Sequence, residues 1–207
     1  MLIVEKLVKL GEGGYKAVYE HPDDPSKVIK VIRHQRVSQD GCFKKHGRWK
    51  RHSMQGMYRQ FRRELLQYLE LCKSTYCQQT FLFPIETTHG FVPTNHGLGL
   101  VVERVVGPSG AGETLFALCQ SGSFLTKHAQ ALQAFFDDCC EMQVVFGEVN
   151  AEGLMYTESR SGKPEFVLVD GIGEKLIIPV RTWFKKNNER YIRKTENKIK
   201  SQLKIHY

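Results

Sequence analysis

The spacing of hydrophobic positions changes character along the chain. Near its start, Leu2, Val4, Leu7 and Val8 fall among polar residues up to Leu10, a loose alternation that predicts a strand over 2–10. Gly11-Glu12-Gly13-Gly14 then holds three glycines in four residues and predicts a tight turn built on positive-φ backbone. Tyr15–Glu20, with Ala17-Val18-Tyr19, reads as the returning strand. The cluster His21–Ser26 is a turn, and Lys27–Ile32, KVIKVI, is a third strand. The chain is therefore expected to open with a three-stranded antiparallel meander. The period then lengthens, and Phe61, Leu65, Tyr68, Leu69 and Cys72 predict a helix over Tyr58–Leu71.

Phe81–Glu86 and Gly97–Val106 predict further strands, and Gly107–Gly112, with three glycines and a proline, is the clearest linker. Beyond it the pattern is helical. A short helix is predicted over Glu113–Gln120 and a long one from Phe124 to about Met142, with Leu125, His128, Leu132, Phe135, Phe136 and Cys139 at core spacing. Phe166–Val169 is a buried strand and the tail from Thr182 a helix with a basic surface. The expected organisation is a strand-rich part over 1–106 carrying a basic insertion at 36–57, a hinge at 107–112, and a helical part over 113–207.

Composition narrows the class. Of 207 residues, 41% are hydrophobic and 25% charged, enough apolar material for a core and no case for disorder. No apolar run approaches the roughly eighteen residues of a spanning helix, and the first residues lack the pattern of a secretory signal. The six cysteines show no CxxC spacing, so a reduced, cytoplasmic protein is expected. Cys139 and Cys140 are adjacent on a helix and cannot both face a core, while Cys72 and Cys77 are candidates for a pair or a metal.

The net charge of +8 is unevenly spread. Residues 41–63 carry eight basic side chains and no acid, and residues 181–207 nine basic and two acidic, so the rest of the chain is net negative. Two such segments are either solvated faces or a patch for an anionic partner. His46, Trp49 and His52 within the first are candidates for phosphate contact. A protein partner or other acidic surface is favoured for both segments, and nucleic acid ranks below it.

The chemistry-bearing residues occur in a suggestive order. Gly11 and Gly13 stand between two strands, where small residues let backbone N–H groups approach phosphate oxygens. Lys30 lies between β-branched neighbours in an apolar strand and needs a partner, for which Glu64 in the following helix is the candidate. In the alternative, Lys30 lies on a solvent face with Lys16 and Lys27. Asp170 directly follows the buried strand Val167-Leu168-Val169 and precedes Gly171. Glycine loop, strand lysine, helix glutamate, hinge, long helix and strand-end aspartate follow one another as they do in protein kinases.

The sequence resembles the kinase-like fold and, more specifically, the bacterial PhoP regulatory network protein YrbL family. The resemblance rests on Leu10-Gly11-Glu12-Gly13-Gly14, the stretch Ala17–Asp24, KVIKVI, Arg62-Arg63-Glu64-Leu65, Val169–Glu174, Leu176–Pro179 and Thr182-Trp183. It implies an α+β, minimal two-lobed protein-kinase-like fold, with an antiparallel-sheet N-lobe and a mostly helical C-lobe. It further implies an ATP and Mg²⁺ site. Gly11, Gly13, Lys16, Lys30 and Glu64 would hold phosphates, Glu103 and Val105 would offer their backbone to the adenine edge, and Asp170 would hold the metal.

The chain departs from an active kinase between the long helix and Asp170. Registering Leu154-Met155 on the usual apolar pair puts Glu148 at the catalytic-base position and Gly153 at the metal asparagine, with Phe146-Gly147 replacing His-Arg. Asn150 or Glu152 could take up the second ligand role. Lys16 replaces the third loop glycine and could hold phosphates or crowd the loop. Only 37 residues follow Asp170, so a minimal back lobe without the usual peptide docking is expected. The leading expectation is a kinase-like, ATP-binding regulatory protein with weak or absent phosphotransfer. The alternatives are an active atypical kinase using Glu148 as base, and a basic binding module without nucleotide.

Overall fold

The computed structural model describes residues 1–44, 55–174 and 185–205. The chain divides into two units, Met1–Leu65 with Thr87–Arg104, and Leu66–Glu86 with Val105–Tyr207. Residues 66–86, which the linear pattern keeps with the strand-rich part, group with the helical unit. The class is α+β.

The first unit holds a five-stranded antiparallel sheet of β1 (Lys9–Glu12), β2 (Lys16–Glu20), β3 (Lys27–Ile32), β4 (Thr88–Thr94) and β5 (Gly97–Glu103), ordered β1-β2-β3-β5-β4. The meander is present, but its first strand starts later than the alternation predicts. Val4–Lys6 instead form a 3-10 turn that buries Val4, and Leu2 bridges to Thr94. The glycine turn differs too. Gly11 and Glu12 belong to β1, a register shift between Lys9 and Gly11 marks a bulge, and none of Gly11, Gly13 and Gly14 has positive φ. The reversal is closed by the Gly13 N–H, which donates to the Lys16 carbonyl at 2.8 Å.

β3 is the centre of this unit because both its faces are covered. Val28 and Ile32 pack with Leu100, Val102, Phe43 and Phe61 on one side, Ile29 and Val31 with Val4 and Val101 on the other. Each such side chain contributes about 1.5–3 kcal/mol of burial, which explains why apolar residues fill successive positions on either side of Lys30. Phe61 comes from α1 (Arg59–Ser74), which starts one residue later and ends three residues later than its periodicity predicts. β4 has no clear sequence signature because Gly90, at φ +126°, and Pro93 interrupt it; as an edge strand it tolerates both. Phe81–Glu86 is not a strand. It is an extended segment with one parallel bridge, Ile85 to Leu168, whose Phe83 and Ile85 carbonyls accept from the Arg160 guanidinium at 2.7 and 3.0 Å.

The second unit combines the small sheet β6 (Glu113–Thr114), β7 (Leu154–Thr157) and β8 (Glu165–Leu168) with α2 (Leu115–Gln120), α3 (Thr126–Glu141) and α4 (Lys185–Leu203). Thr114 caps α2 by accepting from the Ala117 N–H at 3.1 Å. Leu132, Phe135, Phe136 and Cys139 of α3 pack with Phe146, Phe166, Ile192 and Ile199 in one core. Cys139 is buried, Cys140 only partly, and all six cysteines are free thiols. On α4, Arg193 bonds Asp137 at 2.6 Å and Glu196 at 2.9 Å, while Lys186, Arg190, Lys194 and Lys198 are exposed. Among the described residues no helix is long and apolar enough to cross a membrane. His46, Trp49 and His52, and the segments Leu176–Pro179 and Thr182-Trp183, lie outside the described residues.

Candidate functional site

Antiparallel register decides which side chains share a face of the first unit's sheet. Val18 pairs with Lys30, Lys16 with Ile32, and Lys30 with Leu100. Facing residues point the same way and alternate residues repeat it, so Lys16, Val18, Lys30 and Ile32 lie on one face. It is the face on which Phe61 of α1 packs, and Glu64 stands one helical turn beyond Phe61. Both lysines are buried, at 8% and 4% exposure, which corrects the alternative that puts them in solvent.

The carboxylate goes to the other lysine. Lys16 Nζ lies 2.6 Å from Glu64 Oε1, with both side chains under one-tenth exposed. The carboxylate that the sequence assigns to Lys30 is thus paired with Lys16. Sequence spacing does not reveal this, because it depends on both lysines sharing a sheet face. Glu64 Oε2 is buried and has no hydrogen-bond partner among the described residues.

The glycines of the β1–β2 hairpin are open. A Cβ on Gly11 or Gly14 would meet nothing within 4 Å, and one on Gly13 would touch only the Lys16 carbonyl at 3.8 Å. Neither backbone strain nor crowding requires glycine there. The hairpin is braced at its turn, where Arg33 bonds the Gly13 carbonyl at 3.0 Å and Glu12 at 2.6 Å. The hydrogen bond from Lys9, ahead of the charge of Arg33, holds the Glu12 carboxyl below its ordinary range.

The end of β5 carries the residues expected to meet an adenine edge. Glu103 is tied to Thr87 in both directions, its N–H donating to the Thr87 carbonyl at 3.0 Å and its carboxylate accepting the Thr87 N–H at 2.7 Å. Val105 is buried, and its N–H has no hydrogen-bond partner among the described residues.

In the second unit two loops run backbone against backbone. Phe146 bridges Ile172 in antiparallel fashion, the Gly147 N–H donates to the Gly171 carbonyl at 2.6 Å, and the Gly173 N–H to that of Val145 at 2.8 Å. Gln67 holds the start of the first loop by accepting the Val145 N–H at 3.1 Å. A Cβ on Gly171, whose φ is +80°, would collide with the Glu148 carbonyl. A Cβ on Gly147 would lie 2.9 Å from two carbonyl oxygens, and one on Gly153 3.1 Å from that of Asp170. The segments bearing Glu148 and Asp170 therefore converge, and both side chains are exposed. Gly147 and Gly153, which read in the sequence as losses from a kinase pattern, are what admits this approach.

The oxygen donors here are hard. Asp170 Oδ1 accepts its neighbour's Gly171 N–H at 2.8 Å, and Asn150 Oδ1 caps the 3-10 turn Ala151–Gly153 by accepting the Gly153 N–H at 2.9 Å. Among the described residues no group of three or more His, Cys, Asp or Glu side chains is placed to hold a metal. That donor set fits Mg²⁺ arriving with phosphate, which takes one or two carboxylates and fills its shell with phosphate oxygens and water.

A family model described as PhoP regulatory network protein YrbL matches residues 2–204. The chain belongs to the YrbL family. That description names a regulatory network and no reaction. Among curated proteins nothing matches.

Proposed function

We propose that this YrbL-family chain is a kinase-like, ATP-binding regulatory protein with weak or absent phosphotransfer, acting as a minimal two-lobed relative of protein kinases. The observation that carries this reading is the β1–β2 hairpin. Its three glycines are required neither by φ nor by space, so the missing side chains serve a group that approaches from outside. The sheet that carries the hairpin also holds two buried lysines, cations suited to phosphate oxygens. The unpartnered Val105 N–H supports an adenine contact, and Glu103 is proposed to present its carbonyl there.

Mg²⁺ would be held by Asp170, with Asn150 as an auxiliary oxygen ligand, and would neutralise phosphate charge when bound. Weak transfer follows from the loop chemistry. Glu148 stands at the position of a catalytic aspartate and is longer by one methylene, and a misplacement of about 1 Å can cost on the order of 100-fold in rate. The active-kinase reading keeps one observation in its favour, the convergence of the Glu148 and Asp170 segments.

A thermal-shift titration with ATP, with and without Mg²⁺, on the wild type, Lys30→Ala and Asp170→Ala tests the reading. Nucleotide at about 100 times its Kd stabilises by roughly 2.7 kcal/mol. A Mg²⁺-dependent shift that disappears in Asp170→Ala is expected, with ADP release slow or absent. Steady turnover abolished by Asp170→Ala would select the active kinase. No shift at millimolar ATP would sink both nucleotide readings and leave the exposed cations of α4 as the working surface.

A further inference from the structure

α4 buries one side and presents cations on the other. Asn188, Ile192, Thr195 and Ile199 are buried. At 3.6 residues per turn, Lys186, Arg190 and Lys194 stand roughly opposite them, about 6 Å apart along the axis. Lys185 and Lys198 flank this row, and all five cations are exposed. We propose that this face of α4 binds the phosphate backbone of a double-stranded nucleic acid without reading its bases. The proposal is independent of the nucleotide reading, since no residue assigned to that site lies on α4.

The row does not stabilise the helix that carries it. The cations that tie α4 to α3 are Arg193 and Lys200, which bond Asp137 and Gln133 across the interface and share Glu196. The five exposed cations form no ion pair among the described residues. Lys186–Arg190, Arg190–Lys194 and Lys194–Lys198 are instead like-charge pairs four residues apart, an arrangement that weakens a helix. A face built only for solvation mixes both signs, whereas Glu189 is the one exposed acid on α4.

The residues between the cations decide which polyanion fits. A stable protein interface needs an apolar core, and a helix that enters a lipid surface needs an apolar face. The exposed residues of α4 include no aliphatic side chain: Ile192 and Ile199 are buried, and Leu203 packs on the core. Asn187, Asn197 and Ser201 lie among the cations, with amides and a hydroxyl of the kind that bonds phosphate oxygens. Single strands are held by stacking bases on several aromatic rings, and α4 exposes only Tyr191. A duplex backbone asks for none of these, and its charge is so dense that a straight row of cations meets phosphates in any register. This reverses the order suggested by the sequence, in which a protein partner ranks above nucleic acid.

The test is fluorescence anisotropy on the full chain without ATP, with labelled DNA and RNA duplexes of about 20 base pairs at about 50–200 mM salt. Micromolar binding is expected at the lowest salt, with log K falling against log salt at a slope of about −3 to −4.5, as three to five phosphates are neutralised. Lys186→Gln/Arg190→Gln/Lys194→Gln should weaken binding more than about tenfold, and each substitution alone should flatten the slope by about one unit. Lys6→Gln/Lys73→Gln/Lys163→Gln removes the same charge from exposed lysines elsewhere and should change affinity by less than about twofold. Binding of either duplex with this pattern supports the proposal, and the tighter of the two identifies the source of the backbone. No binding at about 100 μM protein and the lowest salt, or an equal loss in the two triple variants, would overturn it. So would binding of polyglutamate, of the single strand, or of phosphatidylglycerol–phosphatidylcholine vesicles as tight as that of the duplexes.

Discussion

Gly171 and Glu148 touch through their backbones: Gly171 adopts φ +80°, and its α-carbon faces the Glu148 carbonyl so closely that no side chain fits between them. Gly171→Ala therefore combines a left-handed backbone with a collision against main chain. The two costs together are expected to destabilise the second unit by about 3 kcal/mol. Urea unfolding checks this, and a loss under about 1 kcal/mol would show that the loops separate easily.

The hairpin glycines should behave in the opposite way. Gly11→Ala and Gly14→Ala meet no obstacle and no positive φ, so stability should hold or rise by up to about 1 kcal/mol through the unfolded chain's lost freedom. The ATP-induced thermal shift should nevertheless shrink. Variants that bind ATP as the wild type does would remove the main support for a phosphate-binding hairpin.

Glu196 anchors α4 by joining Arg193 at 2.9 Å and Lys200 at 2.6 Å. It is 5% exposed, and Glu196→Ala removes one partner from each cation, leaving Arg193 with Asp137 and Lys200 with Gln133, at an expected cost of about 2 kcal/mol; the share of the part-exposed Arg193 is screened by water. Asp137, which also binds Arg193, is half exposed, and Asp137→Ala should cost under about 1 kcal/mol. Denaturation midpoints of the two variants that coincide would contradict this ordering.

His128 gives the second unit a pH dependence. Its Nδ1 accepts the Leu125 N–H at 2.8 Å, and its ring packs edge-on to Tyr156. Burial, with a smaller contribution from the charge of Lys127, lowers its pKa below the ordinary 6.5, against the opposing pull of Glu113 and Glu158. The unfolded chain then binds the proton more readily, so the neutral ring's stabilisation is complete above about pH 6.5 and is lost as pH falls through the lower folded value. The ring should titrate below 6.5 by NMR. His128→Asn, which retains an acceptor for Leu125, should flatten the melting-temperature slope between about pH 6.5 and 5; an unchanged slope would assign that dependence elsewhere.

Periodicity along the chain carries local information, and the elements that depend on it were readable without coordinates. KVIKVI is β3 as expected, the helices α1 and α3 fall where 3.6-residue spacing puts them, and the strand before Asp170 lies within a residue of its expected span. The strand interrupted by Gly90 and Pro93, and Leu154–Thr157, with Met155 and Tyr156 giving no clear period, carry no such signal because their signature lies in their partners.

Chemistry followed the same division. Residue types and their order marked Gly11, Lys30, Glu64, Glu148 and Asp170 as candidates, because a charge inside an apolar run and an acid at a strand end are local anomalies. Which lysine meets Glu64 was not local. It follows from the β2–β3 register, which turns Lys16 and Lys30 to one face, and from the phase of α1, which points Glu64 at one of them. Likewise Gly147, Gly153 and Gly171 read as losses or turns until two distant segments are laid side by side, since the absence of a side chain acquires meaning only from the atom that would have struck it.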